Sequence, residues 1–283
     1  MGHMLKRTVI ALLTVTALAA SSTSVDAAPN RPASPPPTDF WQKQGFMNMA
    51  HQGGERENPG NTLFAFKKSI ADGADVIDMD LTLTKDNVLI ATHDSEPCHT
   101  SDGPCTPFRD LTLQQIRGYD FGYWFSPGLA TYYDKSMDVP HPYRGVATGA
   151  VQPPVGYTAN DFRIATFSEI LDAFPNTPMN VELKPYADTQ ATAEAAAAAL
   201  AAHSGRESDV IVNAFSQAMI EAFHDAAPNH LALGGSLEGT LSYVTGNAIT
   251  PTPVAVEPPD KYDLGGGNIV DVRGVSIGGG AAA

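Results

Sequence analysis

Within VIDMDLTLT, Val76 to Thr84, apolar and polar residues alternate from Ile77 onward, the period of a strand with two different faces. Such a strand carries Asp78, Asp80, Thr82 and Thr84 on one side and Ile77, Met79, Leu81 and Leu83 on the other. Asp86 and Asn87 suit a tight turn, so VLIATHD is expected to return antiparallel. A two-residue turn there pairs Thr84 with Leu89 and, further out, Asp80 with His93. The pattern thus predicts an imidazole directly opposite one of two carboxylates.

The flanking segments alternate between the two periods. MNMAH reads as a short strand, and Asn61 or Thr62 can cap a helix whose apolar side is Leu63, Phe64, Phe66 and Ile70, with Gly73 closing it. Beyond residue 161 come helix TFSEILDAF, strand PMNVELKP, an alanine-rich helix from Thr189 to His203, and strand VIVNAF. Helix SQAMIEAFHDAA, strand LALGGS, a weak helix near Leu237 to Thr245 and strand TPVAVE complete the series. Strands that alternate with helices predict an α/β domain with a parallel sheet. In PMNVELKP the same period puts Asn180, Glu182 and Lys184 on one face, an exception in a strand expected to be apolar on both sides.

Between about residues 95 and 161 the alternation stops in favour of prolines, glycines and aromatics, with one helical candidate at Leu111 to Gly118; an insertion capping the site is expected. His203, His224 and His230 fall on or beside outer helices and are expected in solvent, and His141 lies within the insertion. After Glu257 only Val270 to Ile277 resembles a strand.

Composition adds bounds. Lys6 and Arg7, an apolar run from Thr8 to Ala20 and small residues up to Ala27 predict a signal peptide over 1–27 and a secreted protein, extracellular or periplasmic. A proline-rich linker is expected over 28–45 and the barrel over 46–283. No stretch is long enough for an integral membrane segment. A net charge of −14 argues against nucleic acid as a partner and leaves the oligomeric state open. Cys98 and Cys105, alone in CHTSDGPC, are expected to form a disulfide; a zinc site would want more thiols or imidazoles than His99 supplies. Two carboxylates held side by side away from water call for a cation. All-oxygen ligands suit a hard divalent ion, Ca²⁺ more than Mg²⁺ in a loosely built site open to water.

Taken together, MAHQGG, the Asn-Thr start of a helix, GADVIDMDLTLTKDN, THD and VELK resemble the glycerophosphodiester phosphodiesterase family, within the phospholipase C-like phosphodiesterases. The resemblance runs from Met47 to about Asp260 and implies a distorted TIM barrel. It assigns His51 and His93 as the acid and base pair, Asp78, Asp80 and Glu182 as ligands of the divalent cation, and Lys184 as a substrate-binding residue. The substrate it implies is a small-molecule glycerophosphodiester, hydrolysed to glycerol 3-phosphate and an alcohol. The family's phosphate-binding arginine is replaced by Gln52, with Arg56 the nearest substitute. Its Pro-Glu-Asn-Thr becomes Pro59-Gly60-Asn61-Thr62, for which Glu55 or Glu57 is a stand-in carboxylate, and Asp78 stands where glutamate is commoner. The tryptophan of its last strand has no counterpart, since only Trp41 and Trp124 occur, so an atypical C-terminus from about residue 258 and a barrel lacking its last strand are expected. Two other readings are a phospholipase C-like or sphingomyelinase D-like lipase, and an inactive barrel that only binds cation or phosphodiester.

Overall fold

The computed structural model describes residues 40–41, 45, 47–129, 135–244, 247–256, 261–263 and 269–271. The expected signal peptide and most of the linker lie outside them. Strand β1, Met49–Ala50, leads through a 3-10 turn to helix α1, Leu63–Ala71, and then to β2, Val76–Leu83. Of the two candidate caps, Thr62 is the one used: its hydroxyl accepts from the Ala65 amide at 3.1 Å. Strand β3, Leu89–Ala91, returns antiparallel on β2. After the insertion, with its one-turn helix α2 at Leu113–Ile116, come α3 (Phe167–Ala173), β4 (Met179–Leu183), α4 (Thr189–Ala202) and β5 (Val210–Asn213). Helices α5 (Gln217–Ala226) and α6 (Leu237–Val244) follow, then a separate hairpin of β6 (Lys261–Asp263) and β7 (Ile269–Asp271).

The sheet order is β1-β2-β4-β5, all parallel, with β3 antiparallel on β2. Two isolated parallel bridges, Val212 to Leu233 and Gly234 to Ala255, carry the order further. The expected strands LALGGS and TPVAVE are reduced to these single contacts. Gly234 lets the chain pass close to β5, since a Cβ there would meet Asn213 Cβ at 2.4 Å. Among the described residues no strand joins the Ala255 stretch to β1, so the sheet is an open, distorted barrel.

Period two decides the layers. Ile77, Met79, Leu81, Met179, Val181, Leu183, Val210 and Val212 are buried against Phe66, Phe167, Ile170, Ala193, Ala196, Leu200 and Phe223 of the helices. The alternate residues, including Asp78, Asp80, Asn180, Glu182 and Asn213, therefore face the barrel interior. The small alanines of α4 allow close contact with a shallow apolar stripe, as its composition suggested.

Two expectations are corrected. The hairpin turn has three residues, not two: Asn87 adopts φ 58°, its amide bonds Thr84 O at 3.0 Å, and the Thr84 amide bonds Val88 O at 3.0 Å. Pairing therefore runs Leu83 to Leu89 and Leu81 to Ala91, and the Thr92 amide bonds Asp80 O at 2.9 Å. Asp80 thus stands opposite Thr92 rather than His93, and His93 enters from the loop beyond the strand. Second, His230 is buried, with its ring Nε2 2.8 Å from Val210 O and its ring in T-shaped contact with Phe223; burial holds its pKa below the usual histidine value. The insertion is tied to the barrel through aromatics: Phe64 of α1 packs with Tyr143 and Tyr157 of the insertion and with Phe162 just after it. His141 bonds the Phe125 and Ser136 carbonyls and is structural.

Candidate active site

Asp78 and Asp80 lie within β2 and Glu182 within β4, while His51, His93 and Lys184 follow the C-terminal ends of β1, β3 and β4, the end where parallel α/β barrels carry their loops. After β1 the chain turns sharply through positive φ at Gln52 (53°), Gly53 (77°) and Gly54 (80°). Gly53 is required there, because a Cβ would come within 2.8 Å of Ala65 Cβ on α1. This turn leaves the His51 side chain 63% exposed, with Nδ1 3.1 Å from Glu55 Oε1. Partial burial disfavours its charged form, but the Glu55 contact and the charges of Glu55, Asp78 and Asp80 outweigh it, so the His51 pKa is raised.

Parallel register joins the other acids. Asp80 of β2 is the direct partner of Glu182 of β4, and Asp78 that of Asn180. Lys184, 4% exposed, lies 2.9 Å from Asp80 Oδ1 and 2.9 Å from Glu182 Oε1. The first is an aligned ion pair; the second is a close ionic contact without hydrogen-bond alignment. Burial works against the Lys184 charge, yet the two carboxylates keep its pKa above the usual lysine value. Desolvation pushes the Glu182 carboxyl up, with Asp80 adding to the rise and Lys184 and His93 opposing it.

Asparagines hold this layer in place. Asn61, at φ 58°, donates to Asp80 Oδ2 at 3.0 Å and accepts from the Asp80 amide at 3.2 Å. Asn180 donates to Asp78 Oδ1 at 2.7 Å and in turn accepts from Asn213 at 2.8 Å. His93 Nδ1 lies 3.0 Å from Oδ1 of the buried Asp94. Sequence reasoning read Asn61 only as a cap and passed over Asn213 and Asp94. The polar residue ending the apolar run VIVN was the available signal for Asn213.

The two proposed phosphate contacts sit differently. Gln52 is buried, its side chain packed toward Gly60, and Arg56 is exposed in the loop, its carbonyl accepting from the Gly128 amide at 2.7 Å. Cys98 and Cys105 form a disulfide. Glu96, Cys98 and His99 bring their ligand atoms within 4.8 Å of one another, but the disulfide removes the thiolate a metal would need. Asp78, Asp80 and Glu182 are not gathered that tightly. Their donor set is nonetheless all oxygen, and three carboxylates share the interior with one ammonium, Lys184, which fits a hard divalent cation.

Beside Glu182 a cavity of about 320 Å³ opens between β5 and α6, walled by Ala214, Phe215, Gly235, Leu237 and Ala255. Phe215 is 56% exposed, and its ring centroid is 5.6 Å from Lys184 Nζ.

Comparison with known proteins adds a family model, the glycerophosphoryl diester phosphodiesterase family, matching residues 51–245. A human lysophospholipase D is 29% identical over 145 residues, 50% of this chain and 38% of that protein, so the chain spans well under half the length of this relative. In fold, the chain is similar to the glycerophosphoryl diester phosphodiesterase domain of a Mycobacterium tuberculosis protein (TM-score 0.56, 21% identity, 71% of this chain and 64% of that one). It is also similar to an Oleispira antarctica phosphodiesterase solved with the product sn-glycerol-3-phosphate (TM-score 0.50, 18% identity, 67% and 65%).

Proposed function

The chain belongs to the glycerophosphoryl diester phosphodiesterase family, and from that premise we propose that it hydrolyses glycerophosphodiesters to glycerol 3-phosphate and an alcohol, with His51 and His93 as acid and base. The observation that carries this reading is the parallel pairing of Asp80 with Glu182, bridged by Lys184 and lying within electrostatic reach of both histidines. His51, whose proton is favoured by Glu55, serves as the general acid that protonates the leaving alkoxide. In His93 the Nδ1–H donates to the carboxylate of Asp94, which leaves the bare Nε2 to accept a proton from the attacking hydroxyl. Lys184 brings positive charge to the phosphoryl oxygens. A divalent cation held by Asp78, Asp80 and Glu182, Ca²⁺ in preference to Mg²⁺, supplies charge neutralisation at the phosphoryl group when bound.

The direct test is turnover of glycerophosphocholine by the full chain with Ca²⁺, followed by choline and glycerol 3-phosphate release. Chelation is expected to remove turnover, and Ca²⁺ to restore it more fully than Mg²⁺. Turnover that persists in excess chelator overturns the cation's role.

The pH dependence has a defined sign. A general acid must be protonated, so activity falls as pH rises through the His51 pKa. Glu55→Gln removes a contact that raises this pKa, and the basic limb of the kcat/KM profile is expected to move to lower pH. A basic limb that stays in place or moves up removes His51 from the acid role.

A second reading, a lipase acting on lysophospholipids, is favoured by the apolar cavity beside Glu182 with Phe215 and Leu237 exposed at its mouth. A kcat/KM for lysophosphatidylcholine above that for glycerophosphocholine would select it. No helix among the described residues is long and apolar enough to cross a membrane. The disulfide supports export to an oxidising compartment.

A further inference from the structure

The carboxylate of Asp94 stands between two imidazoles. Oδ1 is 3.0 Å from His93 Nδ1, and Oδ2 is 3.6 Å from His99 Nδ1. Asp94 is 4% exposed. Its Oδ2 and the His99 Nδ1 are both shielded from solvent, and neither makes a hydrogen bond. Two unsatisfied buried polar atoms of opposite kind, less than 1 Å beyond hydrogen-bond range, are a costly arrangement unless they serve each other.

His99 owes its place to a closed loop. It ends the 3-10 turn Pro97–His99, which begins one residue after Glu96 and contains Cys98. The disulfide to Cys105 closes the loop. Inside it Ser101 Oγ donates to Pro97 O at 2.7 Å and accepts from the Gly103 amide at 3.0 Å. The Phe108 amide ties the far side back to Ser95 O at 2.9 Å. Nothing in this loop belongs to the acid and lysine layer described above.

We propose that Asp94 and His99 are positioning residues for His93: Asp94 fixes the His93 ring as the Nδ1–H tautomer, and His99, held by the Cys98–Cys105 loop, fixes Asp94. The proposal rests on reading His93 as the group that exchanges a proton with substrate. A carboxylate can only accept, so its partner nitrogen on a neutral imidazole carries the hydrogen. His99 restrains the second oxygen, which otherwise lets the carboxylate turn about its Cβ–Cγ bond and release the first.

The test separates orientation from activity. Long-range ¹H–¹⁵N correlation spectra of histidine-labelled full chain report the His93 tautomer without any substrate. Wild-type protein is expected to show the Nδ1–H form. Asp94→Asn is expected to lose that preference and to lower kcat by about 10²-fold with KM little changed. His99→Ala and the double variant Cys98→Ser/Cys105→Ser are expected to give mixed tautomers at His93 and a kcat lowered about tenfold. A wild-type tautomer in Asp94→Asn overturns the role of Asp94. A wild-type tautomer together with wild-type kcat in both loop variants overturns the role of His99. Should Asp94→Asn fail to fold, the wild-type spectrum still tests Asp94, since an Nε2–H form of His93 overturns its role, and the loop variants test His99, whose side chain is 44% exposed. If wild-type protein turns over no glycerophosphodiester while the tautomer responds as stated, the positioning arrangement stands and the proposed activity falls.

Discussion

His51→Ala and His93→Ala are each expected to lower kcat/KM for a glycerophosphodiester by about 10² to 10⁴, the usual worth of one general acid or base. The two variants should differ in stability. The His51 side chain is mostly exposed and pairs with Glu55 on the surface, so its removal is expected to change unfolding free energy by no more than about 0.5 kcal/mol. His93 is the partner of the buried Asp94 Oδ1, and its loss leaves that carboxylate oxygen without its hydrogen bond, a cost of about 1–3 kcal/mol. Both quantities come from steady-state kinetics and denaturant unfolding of the same preparations. Either alanine variant with undiminished turnover refutes the acid and base assignment.

Lys184→Met is expected to be the most destabilising single change in the site. Methionine keeps the unbranched stem but deletes the one ammonium that touches both Asp80 and Glu182. Removing one side of a buried ion pair typically costs about 3–5 kcal/mol, because the remaining charges stay desolvated. In a domain of this size that corresponds to a fall in Tm of roughly 10 °C. The effect has a pH signature. Burial already raises the Glu182 pKa, and without Lys184 the charge that opposes this rise is gone, so the protonated Glu182 carboxyl favours the folded state below its unfolded pKa. That contribution disappears as pH rises through the folded pKa. The variant's deficit should therefore be full near neutrality and shrink on acidification, and Glu182→Gln on top of Lys184→Met should restore part of it. A deficit that does not depend on pH would assign the loss to packing instead.

Much of the site could be read from the order of residue types. Asp78 and Asp80 share a face because strands alternate, and Asn180, Glu182 and Lys184 do so for the same reason. Less of the fold could be read near the end of the chain. LALGGS and TPVAVE were expected as strands, but with two glycines in one and Pro253 next to Val254 in the other they make only single bridges. His230 was expected in solvent because it lies beside an outer helix; packing against Phe223 and a hydrogen bond with the Val210 carbonyl explain its burial.

The hairpin shows where local pattern stops. Asp86-Asn87 announces a turn, but two-residue and three-residue turns accept the same residues. The choice rests on Asn87 entering the left-handed region while Thr84 bonds across the loop. That one-residue slip moved His93 out of the ladder and into the loop where it meets Asp94.

By itself, then, the sequence determined the parallel α/β family, the faces on which the acids and Lys184 lie, and the disulfide-closed CHTSDGPC loop, because alternation and turn chemistry act over a few residues. Tertiary structure alone decided that Asp80 faces Glu182 across β2 and β4, that Asn61 clamps Asp80, and that Asp94 lies between His93 and His99. Those pairings join residues brought together by parallel register and loop closure, and neither leaves a periodic trace along the chain.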